Sequence, residues 1–66
     1  MHHLLEHFAY EHLPEGPVRD TSKACADLAL EMDTLPDSDQ KTDGLRNLLR
    51  AKDCFVRAKI SEARGL

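Results

Sequence analysis

Mostly apolar side chains in the first half of the chain recur with the period of a helix that packs along one seam. Successive seam residues are alternately three and four positions apart, which is the a/d pattern of an amphipathic α-helix. These residues are Val18, Thr21, Cys25, Leu28, Met32 and Leu35. Pro17 suits the first helical position, where a backbone N–H would have no helical partner. The pattern predicts a first long helix over about residues 17–33.

A second, broader apolar stripe occupies the last third of the chain. Its residues recur at helical spacing and predict a second long helix over about residues 38–63. They are Leu45, Leu48, Leu49, Phe55, Val56 and Ile60.

The two helical tracts are separated by a short break. Pro36 disfavours helical geometry at Leu35 and cannot continue the first helix. Asp37 or Ser38 can accept the free N–H groups that open the second helix, and Asp37 with Gln40 resembles a capping box. The break therefore predicts an antiparallel helical hairpin that turns at residues 34–38.

The N-terminal arm, residues 1–13, carries a short apolar set of Leu4, Leu5 and Phe8. A helix of one or two turns is marginal alone and must dock against a larger unit. Two prolines and a glycine in residues 13–17 stiffen the connector and permit a turn. We predict a single all-α domain over residues 1–66, in which a short N-terminal helix precedes the long antiparallel hairpin.

The chain of 66 residues is short for a self-sufficient core. A domain of this size buries only about 60% of the surface that its unfolded chain exposes. Two helices that pack along one line leave flanking apolar residues, such as Leu48 and Phe55, in water. Small folds usually need another source of buried area, so we predict a homo-oligomer.

Cysteine usage and hydropathy favour an intracellular protein. Cys25 and Cys54 make no disulfide framework, and both are predicted to be reduced, small core residues. The sequence has no apolar run of membrane-spanning length and no signal-peptide pattern. We therefore expect a soluble, cytoplasmic protein without a membrane partner.

The net charge of −3 conceals a division between the two halves of the chain. Residues 1–40 carry nine acidic and two basic side chains, whereas residues 41–66 carry seven basic and three acidic ones. The halves can simply attract one another, although exposed ion pairs contribute only about 0–1 kcal/mol each. Alternatively, the basic half presents an anion site, because four of its arginines share one helical face. They are Arg46, Arg50, Arg57 and Arg64. Duplex DNA is an unsuitable partner, since an acidic protein repels a long polyanion.

Neither metal binding nor catalysis is favoured. His3 and His7 have a helical metal-ligand spacing, with His2 and His12 nearby, but a metal site needs a further convergent ligand. Surface histidines are the simpler interpretation. The chain has no nucleophile motif and no glycine-rich phosphate loop. We therefore expect a protein that is not an enzyme and that uses no cofactor.

An aromatic segment before the connector offers the most specific chemistry. Tyr10 could stack on a planar base, a contact worth about 1–3 kcal/mol, and Lys23 could meet a phosphate. The alternative is that Phe8 and Tyr10 only anchor the arm to the hairpin. The residue pattern alone leaves both interpretations open.

The order of these features resembles that of the small phage anti-CBASS sponge proteins. An aromatic-x-Tyr segment, a proline-containing connector, an alanine-rich helix with a Lys-x-x-x-x-Leu-Ala pattern, a Pro-Asp-Ser turn and a closing helix follow one another. Here they occupy residues 8–10, 14–17, 23–29, 36–38 and 45–60. The closing helix is also similar to the hairpin of the anti-Thoeris sponges. The resemblance covers about residues 8–61, nearly the whole chain.

This resemblance implies a compact hexamer that sequesters cyclic oligonucleotides made by bacterial immune cyclases. Such a protein acts in the cytoplasm of the host and prevents activation of the effectors that kill the infected cell. The family holds cyclic dinucleotides between subunits, with tyrosine stacking on bases and lysine meeting phosphate, and these roles fall to Tyr10 and Lys23. Some members hold cyclic trinucleotides at a three-fold junction through a late arginine, for which Arg57 and Arg64 are candidates. The residues expected to bind ligand are Phe8, Tyr10, Arg19, Lys23, Arg57 and Arg64.

The closing helix departs from the family pattern in being more basic, around Arg50, Lys52 and Arg57. The choice between cyclic dinucleotides and cyclic trinucleotides therefore stays open. A second hypothesis comes from a different functional class, a helical-hairpin adaptor that binds a protein through exposed Leu48 and Phe55. A metal-binding regulator that uses the histidines is the third.

Overall fold

The computed structural model describes residues 2–65, which form a short helix followed by two long ones. The short helix is a 3-10 helix, His3–Phe8, and the long helices are α1, Pro17–Met32, and α2, Asp39–Ala63. Residues 2–65 contain no β-strand, so the predicted all-α class and the order of the helices are confirmed. Within this range no helix is both long enough and apolar enough to cross a membrane.

Local chemistry explains where α1 begins. Gly16 precedes the helix with φ 145° and ψ −175°, a conformation that is essentially restricted to glycine. Pro17 then occupies the first helical position, and the N–H of Asp20 bonds to the carbonyl of Gly16 at 3.0 Å. The helix ends at Met32, and the N–H of Asp33 still reaches the carbonyl of Ala29 at 2.9 Å.

Ser38, rather than Asp37, caps α2. The Ser38 backbone is extended, and its Oγ accepts the N–H of Lys41 at 3.1 Å. The third helical residue is thus Lys41, whose side chain has no acceptor to complete a capping box. The capping box suggested by Asp37 and Gln40 therefore does not form, and the Asp37 carboxylate instead accepts a hydrogen bond from the Lys41 ammonium.

The core lies where the arm, α1 and α2 meet. The arm contributes Leu5 and Phe8, which lie on one side because residues three apart align in a 3-10 helix. Small residues of α1 and one leucine of α2 complete the core and let the three segments approach closely. These residues are Cys25, Ala26, Ala29 and Leu45.

The buried face of α1 differs from the predicted seam. Ser22 and Ala29 are buried, whereas Leu28 and Leu35 of the seam are exposed. The small-residue face is buried because α2 and the arm both pack against α1, whereas Leu28 and Leu35 line an open groove that α2 bounds on its other side. Cys25 is buried and Cys54 is exposed, and neither forms a disulfide, so the prediction that Cys54 is a core residue is wrong.

A buried ammonium group fastens the hairpin turn. Lys41 Nζ donates to the carbonyls of Asp33 and Leu35, at 2.9 and 2.8 Å, and to Asp37 Oδ1 at 3.0 Å. Its three donors are thereby used, and two of the acceptors are carbonyls just beyond the last turn of α1. The arm joins this cluster, because the N–H of His2 donates to Asp33 Oδ1 at 3.0 Å.

The cluster makes stability depend on pH at both extremes. The hydrogen bond from Lys41 lowers the pKa of Asp37. The pKa of Asp33 is lowered mainly by the hydrogen bond from the His2 N–H and, to a smaller extent, by the one from Lys41. Stabilisation by these carboxylates is fully present above their ordinary pKa of 3.8 and is lost as the pH falls through the lower folded values. The hydrogen bond to Asp37 raises the pKa of Lys41, so its contribution is present below 10.5 and is lost as the pH rises through the higher folded value.

We therefore expect Lys41→Met to lower the melting temperature at neutral pH and to flatten its dependence on pH below about 4 and above about 10.5. Circular dichroism melts from pH 2 to pH 12 measure both effects. Arg46→Met is the matched control, because Arg46 pairs with Asp43 on the exposed surface of α2. Equal pH profiles for Lys41→Met and the unmodified chain would show that the cluster does not stabilise the turn.

Candidate functional site

The arm and the first turns of α1 bring an aromatic ring and two cations together. The half-buried Tyr10 packs against the edge of the core. The guanidinium carbon of Arg19 lies 5.8 Å from the centre of the Tyr10 ring, within the range of a cation–π contact. Lys23 follows Arg19 by one helical turn on the same face of α1.

These side chains line an open concavity of about 540 Å³. A volume of this order is within the range of small-molecule sites in proteins, about 300–1,000 Å³. We call it the Tyr10 concavity, and its lining residues are Tyr10, Glu15, Gly16, Arg19, Asp20 and Lys23. Three of the six residues expected to bind ligand, Tyr10, Arg19 and Lys23, therefore share one site.

Acidic residues balance the two cations of this site. Lys23 Nζ donates to Asp27 Oδ2 at 2.8 Å, and this hydrogen bond raises the pKa of Lys23. Hydrogen bonds from the backbone N–H groups of Glu11 and Tyr10 lower the pKa of the Glu11 carboxyl, which keeps it ionised beside the ring. An anion that binds Lys23 must therefore compete with Asp27. Lys23 and Asp27 are both about half exposed, so their ion pair is weak enough to be displaced.

Phe8 does not line the Tyr10 concavity, because its ring lies in the core. The 3-10 helix places Phe8 on the same side as Leu5, against the hairpin. Lys52 of α2 covers the ring from outside, with Nζ 5.9 Å from the ring centre and 2.8 Å from the carbonyl oxygen of His7. Phe8 therefore anchors the arm to the hairpin within the described chain, whereas Tyr10 packs against the core and also lines the concavity.

Arg57 and Arg64 lie apart from this site. Arg57 lines a separate concavity of about 480 Å³ between the arm and the hairpin, together with His7 and His12. Arg64 follows the last residue of α2 and is exposed. Two helical turns, about 10.5 Å along the axis, separate the two arginines. The described chain therefore does not combine them into one site.

The histidines of the arm do not converge on a metal position. His3 and His7 are four residues apart on a 3-10 helix, in which residues three apart align. The ring of His3 stacks on that of His2 at 4.5 Å. Residues 2–65 contain no group of three histidine, cysteine, aspartate or glutamate side chains arranged to hold a metal ion.

Two lysines have structural roles that the sequence analysis did not identify. Lys41 fastens the turn, and its spacing of four from Asp37 was a usable signal. Lys52 connects α2 to the arm through the His7 carbonyl. No local pattern could have indicated Lys52, because its partner is 45 positions away in the chain.

Comparison of this chain with protein-family models, with curated proteins and with solved structures found no match. A functional interpretation therefore depends on the residues themselves and on the arrangement described above.

Proposed function

We propose that this protein is a non-catalytic sponge that binds cyclic oligonucleotides and thereby blocks CBASS-type anti-phage signalling. The observation that carries the proposal is the grouping of Tyr10, Arg19 and Lys23 around one open concavity. An aromatic face next to two cations suits a ligand that combines planar bases with phosphates. The order of sequence features shared with the anti-CBASS sponges points to the same ligand class.

Each side chain has a distinct role in this proposal. The Tyr10 ring stacks on a base, and Lys23 exchanges Asp27 for a ligand phosphate. Arg19 already lies over the Tyr10 ring, so it either moves toward a phosphate or stays on the face opposite the base. Arg57 and Arg64 are candidates for a second site that takes cyclic trinucleotides.

The Tyr10 concavity is open, and in the proposed assembly a second subunit closes it over the ligand. We propose a homo-oligomer, with a hexamer as the assembly that the family resemblance implies. A sponge needs tight binding without turnover, since it acts by lowering the concentration of free signal. The proposed place of action is the cytoplasm of the infected host.

Isothermal calorimetry against a panel of cyclic di- and trinucleotides tests this function. We expect saturable binding of at least one cyclic oligonucleotide, with recovery of the ligand unchanged after protein denaturation. Linear dinucleotides of the same bases are the matched control ligands. Absence of binding to every cyclic member, or conversion of the ligand to a product, would refute the sponge function. Light scattering that gave the monomer mass at micromolar concentration would refute the oligomer.

A second candidate function is a helical-hairpin adaptor that binds another protein through Leu48 and Phe55. The observation that favours it is an apolar groove between the two helices, away from the Tyr10 concavity, to which Leu48 contributes. An adaptor of this kind binds no nucleotide, so the calorimetric panel separates the two functions.

A further inference from the structure

The side of the hairpin that the arm does not cover is apolar. A groove of about 630 Å³ between the helices is lined from α1 and the turn by Leu28, Met32 and Leu35, and from α2 by Leu48, with no residue of the arm in its lining. Phe55 extends this surface along α2, because it lies seven residues, or two helical turns, beyond Leu48. We call these five residues the open face. Leu28, Leu35 and Phe55 are 43%, 50% and 57% exposed.

Each half of the hairpin carries one pair of apolar residues seven positions apart on this face. On α1 and the turn, Leu28 and Leu35 are seven apart, and on α2 the same spacing separates Leu48 from Phe55. A small residue recurs every seven positions, or two helical turns, beside the α2 stripe, at Gly44, Ala51 and Ala58. Seven-residue spacing places side chains on one face and is the spacing found where helices pack side by side in coiled coils and four-helix bundles.

The hairpin uses this surface only in part, because Met32 and Leu48 are half-buried against the core while Leu28, Leu35 and Phe55 are exposed. The fully buried part of its internal contact consists of small α1 residues, among them Ala26 and Ala29, against Leu45 and the arm. A Cβ added at Gly44 would meet no atom within 4 Å, so packing within the described chain does not require a glycine at that position. Leu28, Leu35 and Phe55 of the open face therefore stay exposed in the single chain and are available to a partner.

The single chain exposes more surface and is more elongated than a compact monomer of its size, as expected for a protomer that pairs with a second copy. The chain exposes 4871 Å², whereas a compact monomer of 7.4 kDa exposes about 4,200 Å². Its radius of gyration is 12.7 Å, against about 10.8 Å for a compact domain of 66 residues. The largest side of this shape, 41 × 20 Å, is about 820 Å², so a pairing must run along most of the hairpin to reach the roughly 800 Å² that each partner buries in a standard interface.

We infer that the open faces of two copies pack against each other around a two-fold axis near Ala51. An axis at that position sets residue 55 of one copy opposite residues 47 and 48 of the other. The Phe55 ring of each copy then enters the groove of its partner beside Leu28 and Leu48, and the gap above Gly44 leaves room for the ring. One surface thus supplies both the projecting ring and the cavity that receives it, which is the requirement for a symmetric dimer. A second copy is favoured over an unrelated protein for this reason.

The first test compares the self-association of three chains without nucleotide. We expect Phe55→Asp to raise the dissociation constant of the dimer by at least about tenfold, as for a central aromatic side chain of an interface. Leu30→Asp is the matched control, since Leu30 is 54% exposed but lies beside the arm and not in the groove. Sedimentation equilibrium gives the masses, and circular dichroism reports helix content. Retention of the wild-type mass by Phe55→Asp, or an equal loss in Leu30→Asp, would overturn the inference.

A second test does not depend on destabilising the contact. A photoreactive benzoylphenylalanine in place of Phe55 should form a covalent dimer on irradiation, with the adduct in residues 28–48 of the other copy. The same substitution at Leu30 is the control, and it should give no adduct in residues 28–48. Mass spectrometry of the digested dimer locates the adduct. Attachment of residue 55 to the arm, or to an unrelated protein in preference to a second copy, would contradict the proposed pairing.

This inference deepens the self-association that the proposed function includes, but it requires no ligand. If Phe55→Asp lowers the mass and no cyclic nucleotide binds, the dimer stands and the sponge function fails. If the wild type binds a cyclic nucleotide and Phe55→Asp keeps the wild-type mass, the sponge function stands and this interface fails. The two measurements therefore separate the two proposals.

Discussion

Replacement of Leu45 by alanine is expected to lower the free energy of unfolding by about 2–5 kcal/mol. Leu45 is the most deeply buried large side chain of α2, with 2% of its surface exposed. It lies where α2 meets both α1 and the arm, beside Phe8 and Ala29. A chain of 66 residues has a total stability of roughly 3–10 kcal/mol. We therefore expect the variant to lose a large fraction of its stability and to melt at a clearly lower temperature.

Urea unfolding followed by circular dichroism measures this loss, at one fixed protomer concentration because self-association adds to stability. Leu30→Ala is the matched control, because the same atoms are removed from a mostly exposed side chain. Its expected change is within about 0.5 kcal/mol. Similar losses in the two variants would mean that the core is not centred on Leu45.

Tyr10→Ala is expected to weaken the binding of a cyclic dinucleotide by about 1–3 kcal/mol, or roughly 5- to 150-fold in dissociation constant. The loss follows from removal of the stacking surface, and it also removes the partner of the Arg19 guanidinium. Calorimetry with the tightest ligand of the panel measures the change. Circular dichroism at the same concentration is the control for folding, and we expect the helix content to be unchanged by loss of the half-buried ring.

Tyr10→Phe is the matched control, because it keeps an aromatic face and loses only the hydroxyl. It should bind within a few-fold of the wild type if stacking is the main contribution of Tyr10. Unchanged affinity in Tyr10→Ala would show that Tyr10 is only an anchor for the arm. Equal losses in Tyr10→Ala and Tyr10→Phe would assign the binding energy to the hydroxyl instead of the ring.

The helices and their ends could be predicted because their causes are local. Pro17 at the start of α1, Pro36 after its end and Ser38 at the cap of α2 act within one turn of the residues that they influence. The hairpin follows from these signals and the short connection between the helices. The capping box predicted from Asp37 and Gln40 does not form, because Ser38 is the cap and the Asp37 carboxylate accepts a hydrogen bond from the Lys41 ammonium.

The candidate site could be predicted only in part. Tyr10, Arg19 and Lys23 were each selected from the sequence, and the structure places them together because the arm runs back along α1. Phe8 was assigned to the same site but is buried, since the arm is a 3-10 helix and its facing residues are three apart. The sponge function and the hexamer stay predictions that the proposed binding and mass measurements will test.

The sequence by itself determined the all-α class, the order of the helices and the position of the turn, because helix starts, stops and periodicity depend on residues within a few positions of one another. Only the tertiary structure decided which face of α1 is buried. The heptad of Leu28 and Leu35 predicted one face, but the arm and α2 pack against the small residues, which let them approach more closely. Burial depends on segments that are distant along the chain, so the local periodicity of α1 could not show that Leu28 and Leu35 stay exposed while Ser22 and Ala29 are buried.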